Sequence, residues 1–183
     1  MSKETPMLPT DEIDAGKVRA LQRQINKNSD LIDGVVSRLV SNYCEPLDEY
    51  MLYVQRVVSD AEVPPTDAEL DQIALRLPVL LYFTGEGQES LGIKEDMAKS
   101  VRQELYSESY NRAVGTVGDK TAAAELATQD EALVMTAYQR AYKKIKLRME
   151  LASEMLQSVK KVMSRRMSEY ELSRVDPNRI GGN

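Results

Sequence analysis

The sequence predicts an all-α protein: elongated, with a long carboxy-terminal helix, and oligomeric. Three observations predict this class. From Gln129 to Ser173 the chain contains no Gly or Pro. Inside that stretch Val134, Tyr138, Ala141, Ile145, Met149, Ala152, Leu156, Val159, Met163, Met167 and Tyr170 form an apolar stripe whose ten steps cover 36 positions, the period of a straight α-helix. Thr66-Asp67-Ala68-Glu69 and Thr128-Gln129-Asp130-Glu131 both read as capping boxes, in which a Thr hydroxyl and a Glu carboxylate satisfy each other's backbone amides. Nowhere do two alternating runs flank a hairpin dipeptide.

Residues 1–10 hold Pro6 and Pro9 among polar residues and read as a disordered tail. Thr10, followed by Asp11 and Glu12, is the expected N-cap of a first helix. Val18, Leu21, Ile25, Asn28, Ile32, Val35 and Leu39 then alternate in steps of three and four. That pattern fits an amphipathic helix, or a partner-helix seam whose register Asn28 fixes. Pro46 is expected to start a second helix, with Leu47, Met51, Val54 and Val58 on one face, and Pro64-Pro65 to close it. The helix opened at Thr66 carries Leu70, Ile73, Leu77, Leu80 and Leu81. Pro78 is expected to kink or break it, and Gly85-Glu86-Gly87 to stop it. A further helix runs from about Glu89 to Asn111, and 106–119 reads as a loop.

In outline, 11–113 holds the N-terminal and central helices. Residues 120–174 form a long basic amphipathic helix, and 175–183 a disordered tail. At 1.5 Å per residue the final helix is roughly 65 Å long, so it must protrude, bend or pack on another chain. Val134, Tyr138, Ile145, Met149, Leu156, Val159 and Met163 are the expected oligomerisation residues.

Composition removes most catalytic chemistry. With no histidine and one cysteine, Cys44, neither a Ser-His-Asp triad, a Cys-His dyad nor a His- or Cys-rich zinc site can form. Gly85-Glu86-Gly87 lacks the Lys-Ser/Thr of a phosphate loop. The expected protein is not an enzyme and needs no metal or cofactor. No apolar run reaches membrane-spanning length and the first residues lack a signal-peptide core, so a soluble, cytoplasmic protein is expected. Cys44 is expected to be a buried thiol.

Charge is unevenly placed. The 183 residues carry −5 overall. Residues 138–174 hold the cations Arg140, Lys143, Lys144, Lys146, Arg148, Lys160, Lys161, Arg165, Arg166 and Arg174 against Glu150, Glu154, Glu169 and Glu171, a local balance of +6 that leaves −11 elsewhere. Such polarity points to an anionic partner for the basic part. Lys146–Glu150 and Arg165–Glu169, at i, i+4 spacing, read equally as ordinary surface pairs on a solvated face. Tyr138, Tyr142 and Tyr170 are available to stack on unpaired bases, although Tyr138 and Tyr170 lie on the apolar stripe.

Leu81-Tyr82-Phe83-Thr84-Gly85-Glu86-Gly87 resembles the Tyr-Tyr-Ser/Thr-Gly-Arg/Lys-Gly element of the UvsY family of phage recombination mediators. Lys120, Asp130, Tyr142, Ile145, Leu147, Leu156, Val159, Lys160 and Ser164-Arg165-Arg166 follow in an order similar to the family's C-terminal pattern. The resemblance covers roughly residues 74–170. The family's basic Leu-Lys-Ala-Arg-Leu motif is represented by Ile73-Ala74-Leu75-Arg76-Leu77, where only Arg76 and the aliphatic residues match, and Glu86 replaces the basic residue of the Gly-x-Gly turn.

The resemblance implies a non-enzymatic mediator that helps load a RecA-like recombinase onto single-stranded DNA covered by a single-strand-binding protein. Charge placement makes Lys143, Lys144, Lys146, Lys160, Lys161, Arg165 and Arg166 the expected DNA contacts, with Arg76 added by the motif. The competing reading is a structural or scaffolding helical protein of a phage particle whose basic helix meets an acidic protein.

Overall fold

A computed structural model describes residues 15–59 and 63–174, with side chains from residue 19 onward. Among these the chain is all α: α1 (Ala15–Ser59), α2 (Asp67–Arg112), the short α3 (Val117–Ala127) and α4 (Gln129–Arg174), with no strand. The expected N-cap at Thr10 and both tails lie outside the described residues.

α4 does not stand away from the chain. It packs along α2 and α1, so that the three long helices lie side by side and α3 closes one end against α2. α1 and α4 run in the same direction and α2 runs against both. Near one end Val36, Val40 and Cys44 of α1 meet Leu91 of α2 and Ala137, Ala141 and Ile145 of α4. Towards the other end Leu47, Tyr50 and Val54 meet Leu70, Ile73 and Leu77, with Ala152, Leu156 and Val159. Alanines on α4 let the backbones approach closely.

Two breaks expected from the sequence are absent. α1 passes through Pro46 and α2 through Pro78 without ending. Each proline removes one helical donor, leaving the carbonyl of Asn42 or Ala74 without its usual partner. Both prolines are solvent-exposed, where water can satisfy those carbonyls. The flanking residues Cys44, Leu47 and Leu77 are fully buried, so packing on both sides carries the helix across.

Gly85 and Gly87 do not stop α2 either. Gly87 lies against the Tyr43 ring, and a Cβ there would stand 2.5 Å from Tyr43 Cδ1. The glycine is a point of close helix approach rather than a terminus.

α2 therefore runs on to Arg112, and the expected loop shrinks to the turn before α3. Thr116 caps α3 with a capping box: its hydroxyl accepts from Asp119 N at 3.3 Å, and its amide donates to Asp119 Oδ2 at 2.9 Å. Thr66 and Glu69 form the other, as the sequence predicts. Thr128 forms none. It ends α3, and its buried hydroxyl donates backwards to the Ala124 carbonyl at 3.0 Å. In α1 the buried face is Val36-Val40-Cys44-Leu47, while Leu21, Ile25 and Val35 of the expected seam stay exposed.

Candidate nucleic-acid interface

Three basic residues of α4 meet acids of the neighbouring helices. Lys144 pairs with Asp33 of α1 at 3.2 Å, Arg148 with Asp48 of α1, and Arg166 with Asp67 of α2 at 2.8 Å. Lys146 and Arg165 pair along α4, with Glu150 at 3.9 Å and Glu169 at 3.5 Å. Among the described residues Arg140, Lys143, Lys160, Lys161 and Arg174 take part in no ion pair.

Asp48 sits in the most enclosed of these pairs. Burial raises its carboxyl above the usual range, against the pull of Arg148. The neighbouring Cys44 is fully buried, and burial raises its thiol too. A cysteine so placed packs as a small apolar side chain.

The expected contacts are not one cleft. Lys143 and Lys146 lie near the middle of α4; Lys160, Lys161 and Arg165 lie near its end, with Glu150 and Glu154 between. The gap from Lys143 to Lys161 is about 27 Å along the helix. Arg76 stands on α2, its guanidinium 5.0 Å from the centre of the Tyr50 ring. The structure thus brings Lys160, Lys161, Arg165 and Arg166 together on one end and leaves Arg76, Lys143, Lys144 and Lys146 elsewhere.

The end of α4 has a further feature. Tyr170 is 62% exposed, and the Arg174 guanidinium lies 5.5 Å from its ring centre. Tyr170 and Lys160 also border a groove between α4 and α2, lined by Met163, Met167, Ala74 and Asp71. Tyr138 and Tyr142 pack against the core instead, beside Leu91 and Ile145.

The expected oligomerisation residues are largely used inside the chain. Ile145, Leu156 and Val159 are buried in the three-helix core, and Tyr138, Met149 and Met163 pack against it. Only Val134 of this set stays half open. The stripe is interrupted where it leaves the core: Met167 and Tyr170 are exposed.

Among the described residues no cluster of His, Cys, Asp and Glu is placed to hold a metal ion, and no helix is long and apolar enough to cross a membrane. Comparison with protein-family models, with curated proteins and with solved structures gives no match for this chain.

Proposed function

We propose that the chain is a non-enzymatic accessory protein that holds single-stranded DNA on the final turns of α4, in the manner of a recombination mediator. The observation that carries the reading is the conjunction there of an exposed ring, Tyr170, with Arg174 and Lys160 on the same side of the helix, while Lys161 and Arg165 add positive charge on its opposite side. An unpaired base has an open face that a tyrosine can cover, and flexible cations reach its phosphates without reading sequence. Lys143 and Lys146 extend the positive surface along the helix. By resemblance to the UvsY family, the bound strand would be handed to a RecA-like recombinase in the presence of a single-strand-binding protein.

The test is fluorescence anisotropy of a labelled oligo-dT against sodium chloride. Binding that weakens steeply with salt is expected, with a log–log slope of about 0.7 per phosphate contacted. Joint replacement Lys160→Glu, Lys161→Glu and Arg165→Glu should abolish retention without changing helicity, and Tyr170→Ala should weaken binding while leaving the salt slope unchanged. Absence of binding at low salt rejects the reading.

A structural role beside an acidic protein partner is the second reading. It is favoured by the way α4 already engages acids of neighbouring helices through Lys144, Arg148 and Arg166. It predicts no affinity for the oligonucleotide at any salt concentration.

A further inference from the structure

The groove beside Tyr170 offers more than a ring on which a base can stack. It runs between α4 and α2, holds about 710 Å³, and has Met163 and Met167 of α4 and Ala74 of α2 as its apolar lining. That is the size and character of a site for one small molecule. Two charged groups border it as well, Asp71 of α2 and Lys160 of α4. Among the described residues neither takes part in an ion pair or a hydrogen bond. Asp67, the other acid at the groove, is already paired with Arg166 at 2.8 Å.

The Arg166–Asp67 pair fixes the level at which the two antiparallel helices meet. Tyr170 lies four positions beyond that level on α4, and Asp71 lies four positions the other way on α2. They are therefore separated by about 12 Å along the bundle. Helical side chains lean toward the start of their own helix. Because α2 and α4 run in opposite directions, the Tyr170 ring and the Asp71 carboxyl lean toward each other across the groove. Lys160 stands within about 3 Å of the level of Asp71 on the facing helix, so a donor and an acceptor flank the same opening.

We infer that this groove takes a guanine of the bound strand, with Asp71 and Lys160 reading its edge. The choice of base presupposes the DNA-binding role proposed above and adds selectivity to it. Contacts to phosphate carry no sequence information, and the unpaired Asp71 carboxylate repels phosphate, so a base edge is what enters. A carboxylate only accepts hydrogen bonds and an ammonium only donates them. The pairing edge of an unpaired guanine presents one acceptor, O6, beside two adjacent donors, the ring N1–H and the 2-amino group. O6 suits Lys160, and the two donors meet the two carboxylate oxygens of Asp71. Cytosine and adenine offer a carboxylate one amino group, and thymine one ring N–H, so each makes one bond fewer with Asp71. The base face stacks on Tyr170, and the polarizable Met163 and Met167 suit a flat ring.

The experiment compares three labelled strands by fluorescence anisotropy with the full chain. They are oligo-dT, the same strand with one central dG, and the same strand with deoxyinosine there, which lacks the 2-amino group. The dG strand should bind about fivefold tighter than oligo-dT, the low end for a two-bond base contact, and deoxyinosine should lose most of that gain. Asp71→Ala should bring the dG-to-dT affinity ratio to about one while circular dichroism stays unchanged, since Asp71 is exposed. Equal affinities for the three strands, or a guanine preference that survives Asp71→Ala, overturn the inference and leave the DNA-binding role standing. No binding of any strand at low salt rejects the role and the inference together. Displacement of the strand by micromolar dGMP would make a free nucleotide the occupant and overturn the assignment to a strand.

Discussion

The Tyr43 ring of α1 rests on Gly87 of α2, at a place where α2 has no room for a side chain. Three atoms of Tyr43, Cβ, Cγ and Cδ1, would stand within 2.9 Å of an added methyl group. They belong to the root of the side chain, which cannot swing clear without moving α1.

Gly87→Ala is therefore expected to destabilise the bundle by about 1–3 kcal/mol, despite the better helix propensity of alanine. Gly34→Ala should do the opposite and stabilise by up to about 1 kcal/mol, because nothing lies within 4 Å of the place its methyl group would take. Urea unfolding followed by circular dichroism measures both. The same sign for the two would contradict the packing described.

Truncation at the centre of either core cluster should be costly. Ile145 and Leu77 are both fully buried. Ile145→Ala and Leu77→Ala are each expected to lose about 2–5 kcal/mol through lost burial and the cavity left behind. Leu75→Ala, two residues from Leu77 but on the outer face, should change the stability of the isolated chain by less than about 0.5 kcal/mol.

Acid should weaken the helix starts. The Thr66 amide and hydroxyl hold the Glu69 carboxyl below its usual range, and the Thr116 hydroxyl and amide do the same for Asp119. A carboxyl lowered in the folded state stabilises it above the unfolded pKa, and that contribution is lost as pH falls through the folded value. Thermal midpoints should drop as pH is taken below about 4, where free carboxyls titrate. Glu69→Gln with Asp119→Asn should flatten that drop. Asp48 moves the other way: burial raises it, so protonation relieves rather than weakens the fold.

Cys44 should be silent towards thiol reagents. It is completely buried, and burial raises its thiol, which lowers the reactive thiolate fraction. Ellman's reagent is expected to report no thiol in the native chain and one in denaturant. Prompt native labelling would mean that α1 leaves the bundle readily.

The sequence carried the helical class and the length of α4 because its apolar period is unbroken over many turns. The same pattern did not say where the stripe would be covered. Leu156 and Val159 are as compatible with another chain as with α1 and α2, and only the three-dimensional path of α2 decides between them. Pro46, Pro78 and Gly87 misled for a common reason. Local rules treat them as stops, whereas tertiary packing on either side of each overrides a cost of a few kcal/mol. At Thr128 the sequence pattern of a capping box was present, but its hydroxyl reaches back to Ala124 as α3 ends. The cation pairs Lys144–Asp33 and Arg166–Asp67 join residues about a hundred positions apart, beyond the reach of any local rule.

The order of the helices along the chain also bears on how the protein assembles. α2, α3 and α4 are consecutive, and the α3 turn returns α4 directly onto α2. α1 reaches α4 only through contacts of long sequence separation, as between Asp48 and Arg148. Closing short connections precedes closing long ones on entropic grounds. α1 and α2, separated only by residues 60–66 and joined by the Tyr50 hydroxyl donating to the Gln72 carbonyl 22 positions away, are thus the first pair to close, and α4 lays its length onto both helices last.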